Sequence, residues 1–465
     1  MTGVLPALEL GFFVYFVALN SFYALLLILA IPEIWRNRRL ADDDDLARLM
    51  HSDALPPVSI LVPAYNESAN IVASVTALLK LQFGMYQVIV VNDGSRDDTM
   101  DVMRRELDLY EVPKIYPERI ATQRVRAVYA SRTHYRLWVI DKENGGKADA
   151  LNAAINASRF PLVIAVDADT LVEPDALLRL TRPFLLGREI AAAGGTIRVV
   201  NGCKVESGVV VDARVPRRFV AGIQVVEYLR AFLFGRLGWN PLGGSLIVSG
   251  AFGLFRKDYL LDIGGYSTAS VVEDLEVVFR LHRHLRARGI RYEVSFIPDP
   301  VAWTEVPETL RILGAQRERW HRGLLATLRR HRAMFLNPKL GRVGLIAVPF
   351  FVFGEALAPL VEACGYVYAF GGLILGAVDL DFAIAFLLVA WGYGMLLSIW
   401  AVALEEASFR RYSSLSDLFR LFRYALIETF WYRQCTVWWR FRAFFTPKHL
   451  HLSWGAMRRR GFTNT

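Results

Sequence analysis

Cysteine is scarce and scattered. Cys203, Cys364 and Cys435 stand alone with no CxxC pair, so neither a disulfide framework nor a structural zinc site is indicated. The eight histidines form no HExxH motif. The GxxxxGK[ST] spacing of a P-loop is missing as well. A net charge of +9 comes without zinc-finger spacing or an RNA-binding signature, and its arginines gather beside apolar segments. Nucleic acid is therefore not an expected partner, whereas membrane lipids and a phosphorylated substrate are. No internal repeat or low-complexity tract interrupts the chain.

What is abundant is apolar. Of 465 residues 54% are hydrophobic and 12% aromatic, too much for a wholly soluble protein. Residues 9–34 form a nearly uncharged run that at helical rise spans about 39 Å, enough to cross a bilayer with tilt. It is longer than a signal-peptide core and has no basic region before it, so an uncleaved span is expected. Arg36, Arg38 and Arg39 follow and place its C-terminal end in the cytoplasm. Residues 41–57, ADDDDLARLMHSDALPP, read as an acidic cytoplasmic linker ending in a proline pair.

Residues 58–335 have the composition of a soluble α/β domain. Short β-rich runs at 58–65, 86–93, 135–142 and 160–169 alternate with helical stretches near 68–82, 97–109 and 147–158, which predicts a doubly wound, mainly parallel sheet. A second membrane region is expected over 343–404. Its two apolar blocks are divided by Asp379-Leu380-Asp381. Arg410 and Arg411 put the following segment inside, so that turn lies outside and the first block is expected to cross an odd number of times, as one helix bent near Pro349 or Pro359, with two short spans as the alternative. Residues 408–465 mix aromatics with Arg420, Arg423, Arg433, Arg440 and Arg442 and read as an interfacial amphipathic segment.

In a doubly wound sheet ligands bind beyond the C-terminal strand ends. Three strands end in polar groups: Asn66-Glu67, Asn92-Asp93-Gly94-Ser95 and Asp167-Ala168-Asp169. An Asp-x-Asp at a strand end offers two carboxylates to one hard divalent cation, Mg²⁺ or Mn²⁺, although an Asx turn capping a helix has the same residues. NGGKADALN, from 144, sets a glycine turn and Lys147 at a helix start, where amides and an ammonium suit phosphate.

Taken in order, VPAYNES, VNDGSRDDT, NGGKADALN, VDADT, SGAFGLFRK (249–257), VVEDLEVVFRL (271–281) and QRERWHRG (316–323) resemble the processive family 2 glycosyltransferases, the cellulose, hyaluronan, chitin and poly-N-acetylglucosamine synthases. The resemblance implies an α/β GT-A-type nucleotide-sugar-binding domain inserted between transmembrane helices, and an inverting, metal-dependent enzyme with a UDP-sugar donor. It implies that Ala64 and Tyr65 with Asp93 hold uridine and that Lys147 approaches the diphosphate. Asp167 and Asp169 would bind uridine diphosphate and metal, and Asp274 would be the base with Glu273 its neighbour. Gln316 and Arg319 of QxxRW would face the diphosphate while Trp320 stacks on the acceptor sugar. VVED stands where many members have TED, which removes a hydroxyl but not the base.

A glycine-containing turn lets SGAFGLFRK approach the acceptor closely, and residues 224–244 are expected at the cytoplasmic membrane surface. The function so implied is extension of a β-linked polysaccharide or oligosaccharide acceptor at a bacterial inner membrane, with export through the membrane segment. Few helices are available, so a homo-oligomer or accessory export subunit is an expected partner. The rivals are a single-addition transferase acting on a lipid acceptor and an inactive nucleotide-sugar sensor or export scaffold. No PilZ-like RxxxR…DxSxxG tail follows the membrane region.

Overall fold

A computed structural model describes residues 4–43, 55–412 and 414–446. Most of the expected linker, residues 44–54, and the end of the C-terminal segment, residues 447–465, lie outside the described residues.

The chain opens with one long helix, α1 (Val4–Asp43), which continues past the apolar run through the arginines. The α/β domain follows. Its strands are β1 (Val58–Ala64), β2 (Tyr86–Asp93), β3 (Leu109–Val112), β4 (Val125–Ser131), β5 (Leu137–Lys142), β6 (Leu162–Val166), β7 (Thr170–Val172), β8 (Ile190–Val199), β9 (Lys204–Glu206), β10 (Val209–Asp212), β11 (Phe252–Arg256) and β12 (Glu293–Thr304). Ten of them form one sheet in the order β3-β4-β5-β2-β1-β6-β11-β8-β12-β7, while β9 and β10 form a separate hairpin.

The centre of this sheet, β5-β2-β1-β6, is parallel. All of β2 and β6 is buried, as expected of strands covered on both faces. Register fixes the rim: Ala64 lies opposite Asn92, and Asp93 opposite Lys142, so the strand ends finish side by side. Beyond β6 the sheet becomes mixed, because β11 runs antiparallel to both β6 and β8.

Helices cover both faces. On one lie α2 (Ile71–Leu79), α3 (Thr99–Glu106), α5 (Ala176–Leu185) and α6 (Phe219–Tyr228); on the other lie α4 (Lys147–Ala157) and α7 (Glu273–Ala287). α8 (Leu310–Arg330) then leads toward the membrane helices α9 (Val343–Ile374) and α10 (Leu380–Phe409), and α11 spans 415–442. Among the described residues three helices are long and apolar enough to cross a membrane: Ala7–Arg39 within α1, together with α9 and α10. α9 is a single helix whose regular turns are interrupted by wide ones and by a break at Leu357, just before Pro359. A proline that cannot donate its amide, with a π-bulge beside it, accounts for the irregularity.

Two arginines of α11 pair with acids of α9, while Arg423 and Arg442 are exposed. Arg440 meets Glu355 at 3.1 Å and Arg433 meets Glu362 at 2.9 Å. Both members of each set lie two helical turns apart on their own helix, so α9 and α11 run antiparallel with their charges in register. Arg230 pairs likewise with Glu428 at 2.9 Å.

The membrane and catalytic layers share a core. Leu27, Ala30 and Ile34 of α1 belong to the same buried cluster as Ile60, Val62 and Val90 of the sheet. Backbone meets backbone closely at Gly238, where an added Cβ would stand 2.3 Å from the Leu26 carbonyl oxygen. Because that neighbour is backbone, Gly238→Ala must push α1 away, at a cost of about 1–3 kcal/mol or more. A lower melting temperature and faster proteolysis of the detergent-solubilised variant are expected; wild-type values for both would refute this packing.

Candidate active site

The loops after β1 and β2 are stitched together. Asn66 N donates to Ser95 Oγ at 3.0 Å, Arg96 N donates to Asn66 Oδ1 at 2.8 Å, and Glu67 N donates to Thr99 Oγ1 at 2.8 Å. Asn66 itself sits at φ 56, a left-handed conformation that asparagine tolerates. Ala64 is buried beneath this turn, and Tyr65 beside it keeps 43% of its surface exposed.

Asp93 is buried and fully employed. Its Oδ1 accepts from Lys142 Nζ at 2.5 Å and Gly145 N at 3.0 Å, and its Oδ2 accepts from Gly146 N at 2.7 Å. Lys142 Nζ also meets Asp149 at 2.6 Å. The carboxylate thus lies behind the NGGK turn and holds it, with Gly146 at φ 86 supplying a conformation that only glycine adopts cheaply.

That turn delivers Lys147. Its ammonium lies 2.6 Å from Asp167 Oδ1, 3.3 Å from Glu273 Oε1 and 3.4 Å from the Gly250 carbonyl oxygen. Burial opposes its charge, but Asp167 and then Glu273 outweigh burial and hold its pKa above the usual lysine range. Ser74 Oγ fixes the Asp-Ala-Asp turn by donating to Ala168 O at 2.6 Å. Asp169, beyond it, is pushed up to about 7 by burial and by the neighbouring Asp167.

Glu273 and Asp274 open α7, where unpaired amides favour acidic groups. Leu275 N donates to Asp274 Oδ1 at 2.9 Å and Gly250 N donates to Oδ2 at 3.0 Å. Asp274 is nevertheless raised to about 6, by burial first and by Glu273 second, with Lys147 and Arg236 opposing. Gly250 therefore bridges two functional groups, donating to Asp274 and accepting from Lys147, and a Cβ there would stand 3.1 Å from the ammonium. The glycine of SGAFG is its only sequence signal. Arg236, in the segment expected at the membrane surface, has a buried guanidinium that feels Asp274; burial lowers it to about 10. Tertiary packing alone brings it there, and no local pattern announces it.

α8 lies against these acids through Gly323, where a Cβ would fall 1.9 Å from Val272 Cγ2, immediately before Glu273. Arg319 on this helix is lowered by burial while Glu273, Asp274 and Asp167 act to raise it, so it shares their field. Gln316 and Trp320 touch Arg317 instead: its guanidinium lies 4.4 Å from the indole centroid and donates to Gln316 Oε1 at 3.4 Å. Arg317 is itself held by Glu227 at 2.7 Å. Trp320 keeps 40% of its surface exposed. The structure thus gathers Lys147, Asp167, Asp169, Glu273, Asp274 and Arg319 into one cluster. Ala64 and Tyr65 stand at the neighbouring strand end, and Gln316 and Trp320 flank the cluster on α8.

Among the described residues no group of three or more histidine, cysteine, aspartate or glutamate side chains gathers as metal ligands. Asp167 and Asp169 nevertheless suit a hard cation that completes its shell with substrate oxygens, because one strand-end turn carries both carboxylates.

Comparison with known proteins agrees with this geometry. Residues 56–323, more than half of the chain, match the family model described as Glycosyltransferase like family 2. Poly-beta-1,6-N-acetyl-D-glucosamine synthase of Staphylococcus epidermidis is 27% identical over 267 residues, covering 57% of this chain and 54% of that protein. The synthase of the same name from Staphylococcus aureus (strain COL) is 29% identical over 272 residues, covering 58% and 55%. The chain spans about half the length of the curated relatives it matches. Among solved structures, the mannosyltransferase PcManGT of Pyrobaculum calidifontis superposes with a TM-score of 0.50 at 18% identity, over 91% of this chain and 99% of that one. The sheet is of the GT-A kind, and the chain belongs to the family 2 glycosyltransferases.

Proposed function

We propose that the protein is a membrane-embedded inverting glycosyltransferase that moves a sugar from a UDP-sugar to a growing β-linked polysaccharide, coupled to export. The observation that carries this reading is Asp274: a buried carboxylate raised to about 6, held by the Gly250 amide and next to the Lys147 ammonium. The names of the staphylococcal relatives support a polymer product. The arginines that follow the apolar run of α1, and those after α10, support a cytoplasmic catalytic domain at a bacterial inner membrane.

Inverting transfer requires a base for the acceptor hydroxyl, in-line attack and a stabilised leaving group. Asp274 takes the proton, and the Gly250 amide keeps its second oxygen in place. Lys147 has Glu273 and the Gly250 carbonyl as further partners, so it can turn from Asp167 to a phosphate oxygen without leaving its charge unmet. Arg319 adds a planar guanidinium suited to phosphate, and the exposed ring of Trp320 offers a platform for the apolar face of a sugar. Asp167 and Asp169 would hold Mg²⁺ or Mn²⁺, which supplies charge neutralisation at the departing diphosphate; PcManGT is a complex with GDP-Man and Mn²⁺.

Purified protein given a panel of UDP-sugars should release UDP with one of them and yield a ladder of products of rising length. A single glycolipid species would replace the polymer by one-step transfer to lipid, and no UDP release with any donor would overturn the enzymatic reading.

The two acidic sites are separable. Asp274→Asn should keep UDP affinity while turnover falls by roughly 10² to 10⁴-fold, the usual worth of a general base. Asp169→Ala should lose metal-dependent UDP binding together with transfer. Near wild-type turnover of Asp274→Asn would transfer the base role to Glu273.

A base must be ionised, so kcat/KM should fall as the pH drops through about 6, roughly tenfold per unit below it. The groups facing Asp274 are Glu273, Lys147, Arg236 and Arg319. Only Glu273 among them raises its pKa, so Glu273→Gln should move the acid limb to lower pH. An unmoved limb would show that another group controls it.

A further inference from the structure

A cavity of about 350 Å³ opens against β4, β5 and the C-terminal end of α4. Its volume lies within the range of about 300–1,000 Å³ usual for small-molecule sites. Arg119, Arg159 and Lys257 line it together with Trp138, Tyr116 and Ile155, and none of its lining residues is acidic. Arg159 lies over the Trp138 ring, 4.5 Å from the centroid, and Lys257 Nζ donates to the Ser158 carbonyl. Among the described residues, then, no carboxylate answers these three positive charges. The nearby Glu118 is occupied by Lys114. Burial, and then the neighbouring Arg119, hold the Lys257 ammonium below its usual range. The Tyr116 hydroxyl is buried with no hydrogen-bond partner.

The cavity is preformed. Arg119 N and Ile120 N both donate to Asn156 Oδ1 at 3.0 Å, and Asn156 Nδ2 returns to Ile120 O at 2.8 Å, which straps the wall to α4. It is also separate from the acidic cluster: α4 has 11 residues, with Lys147 at its first turn and Ser158 as its C-cap, so about 16 Å of helix lies between. The membrane helices are elsewhere. α1 packs against β12, toward the other end of the sheet from β4 and β5, and α1 and α10 join the core on the opposite face.

We propose that this cavity is a second binding site, for a soluble anion of the nucleotide class: a phosphate-bearing molecule with a flat ring. Phosphate answers the cluster of three cations, and the ring answers a wall that is half apolar and carries two aromatic side chains. A lipid headgroup is disfavoured by the distance from the membrane helices.

The test uses the full chain in detergent, photolabelled with 8-azido-ATP while excess UDP fills the donor site. Labelled peptides should include residues 115–119, 138 or 155–159, and excess ATP should prevent labelling. Inorganic phosphate or glycerol phosphate at the same concentration should not. Arg119→Glu with Arg159→Glu, both exposed positions, should cut labelling by roughly tenfold or more at an unchanged melting temperature. Absence of label from these peptides, label that survives the charge reversal, or full protection by inorganic phosphate or glycerol phosphate would overturn the proposal. Label confined to residues 64–95 is likewise absence from these peptides and overturns the second site, whereas UDP release measured without the probe tests the donor assignment separately.

Discussion

One ammonium holds together acids that would otherwise repel. Asp167 ends a strand and Glu273 begins a helix more than a hundred residues later, yet both converge on Lys147, with Asp169 and Asp274 close behind. Burying several carboxylates together is costly, and removing one partner from such a buried pair typically costs about 3–5 kcal/mol. The surroundings serve that contact. Asp93 and Lys142 brace the turn that carries Lys147, and the Gly250 carbonyl gives the ammonium a neutral partner. Structural and chemical demands therefore fall on the same residues, which explains why a buried strand ends in paired carboxylates.

Close backbone approach joins the remaining pieces. Gly323 lets α8 rest on Val272, Gly238 lets α1 rest on the segment carrying Arg236, and at Gly222 a Cβ would meet the Tyr424 ring of α11 at 2.2 Å. Each glycine sits where an element from the membrane side meets the catalytic domain or where the QxxRW helix meets the start of α7. A missing side chain permits contact at distances that no other residue allows, and the packed interior around it does not stretch to absorb an added methyl.

The legible parts of this fold are those with local signatures. β1, β2 and β6 appear as unbroken apolar runs because both faces of the sheet are covered, and the three long apolar helices declare themselves by length. β8 does not. Its sequence IAAAGGTIRV has weak strand propensity, and it forms because β11 and β12 flank it while Val248 and Phe296 pack onto Gly194. The site divides the same way. Lys147, Asp167, Glu273 and Asp274 sit in recognisable motifs, and the structure brings them within reach of one another. Arg236 and the inward turn of Asp93 depend on tertiary contacts that no short pattern encodes. Arg433 and Arg440 of α11 illustrate the limit from the other side: their spacing fits a headgroup-facing helix equally well, and only the matching spacing of Glu355 and Glu362 on α9 pairs them within the protein.

The same contacts make α8 a joint between chemistry and membrane. One side of it carries Arg319 into the field of Asp167, Glu273 and Asp274. Its other side is gripped by α11: a Cβ at Gly314 would stand 2.7 Å from Trp439 Nε1, Arg440 donates to His321 Nδ1 at 3.3 Å, and Tyr432 donates to Glu227, the partner of Arg317, at 2.5 Å. His321 suits that bond because burial, and then Arg440, lower it to about 3, leaving a neutral imidazole that accepts. Trp320, whose ring Arg317 supports, is thus positioned by a chain of contacts that begins on α11. A shift of α11 against α9 would have to move this ring or break the Arg317–Glu227–Tyr432 set, so the C-terminal helix helps to position Trp320.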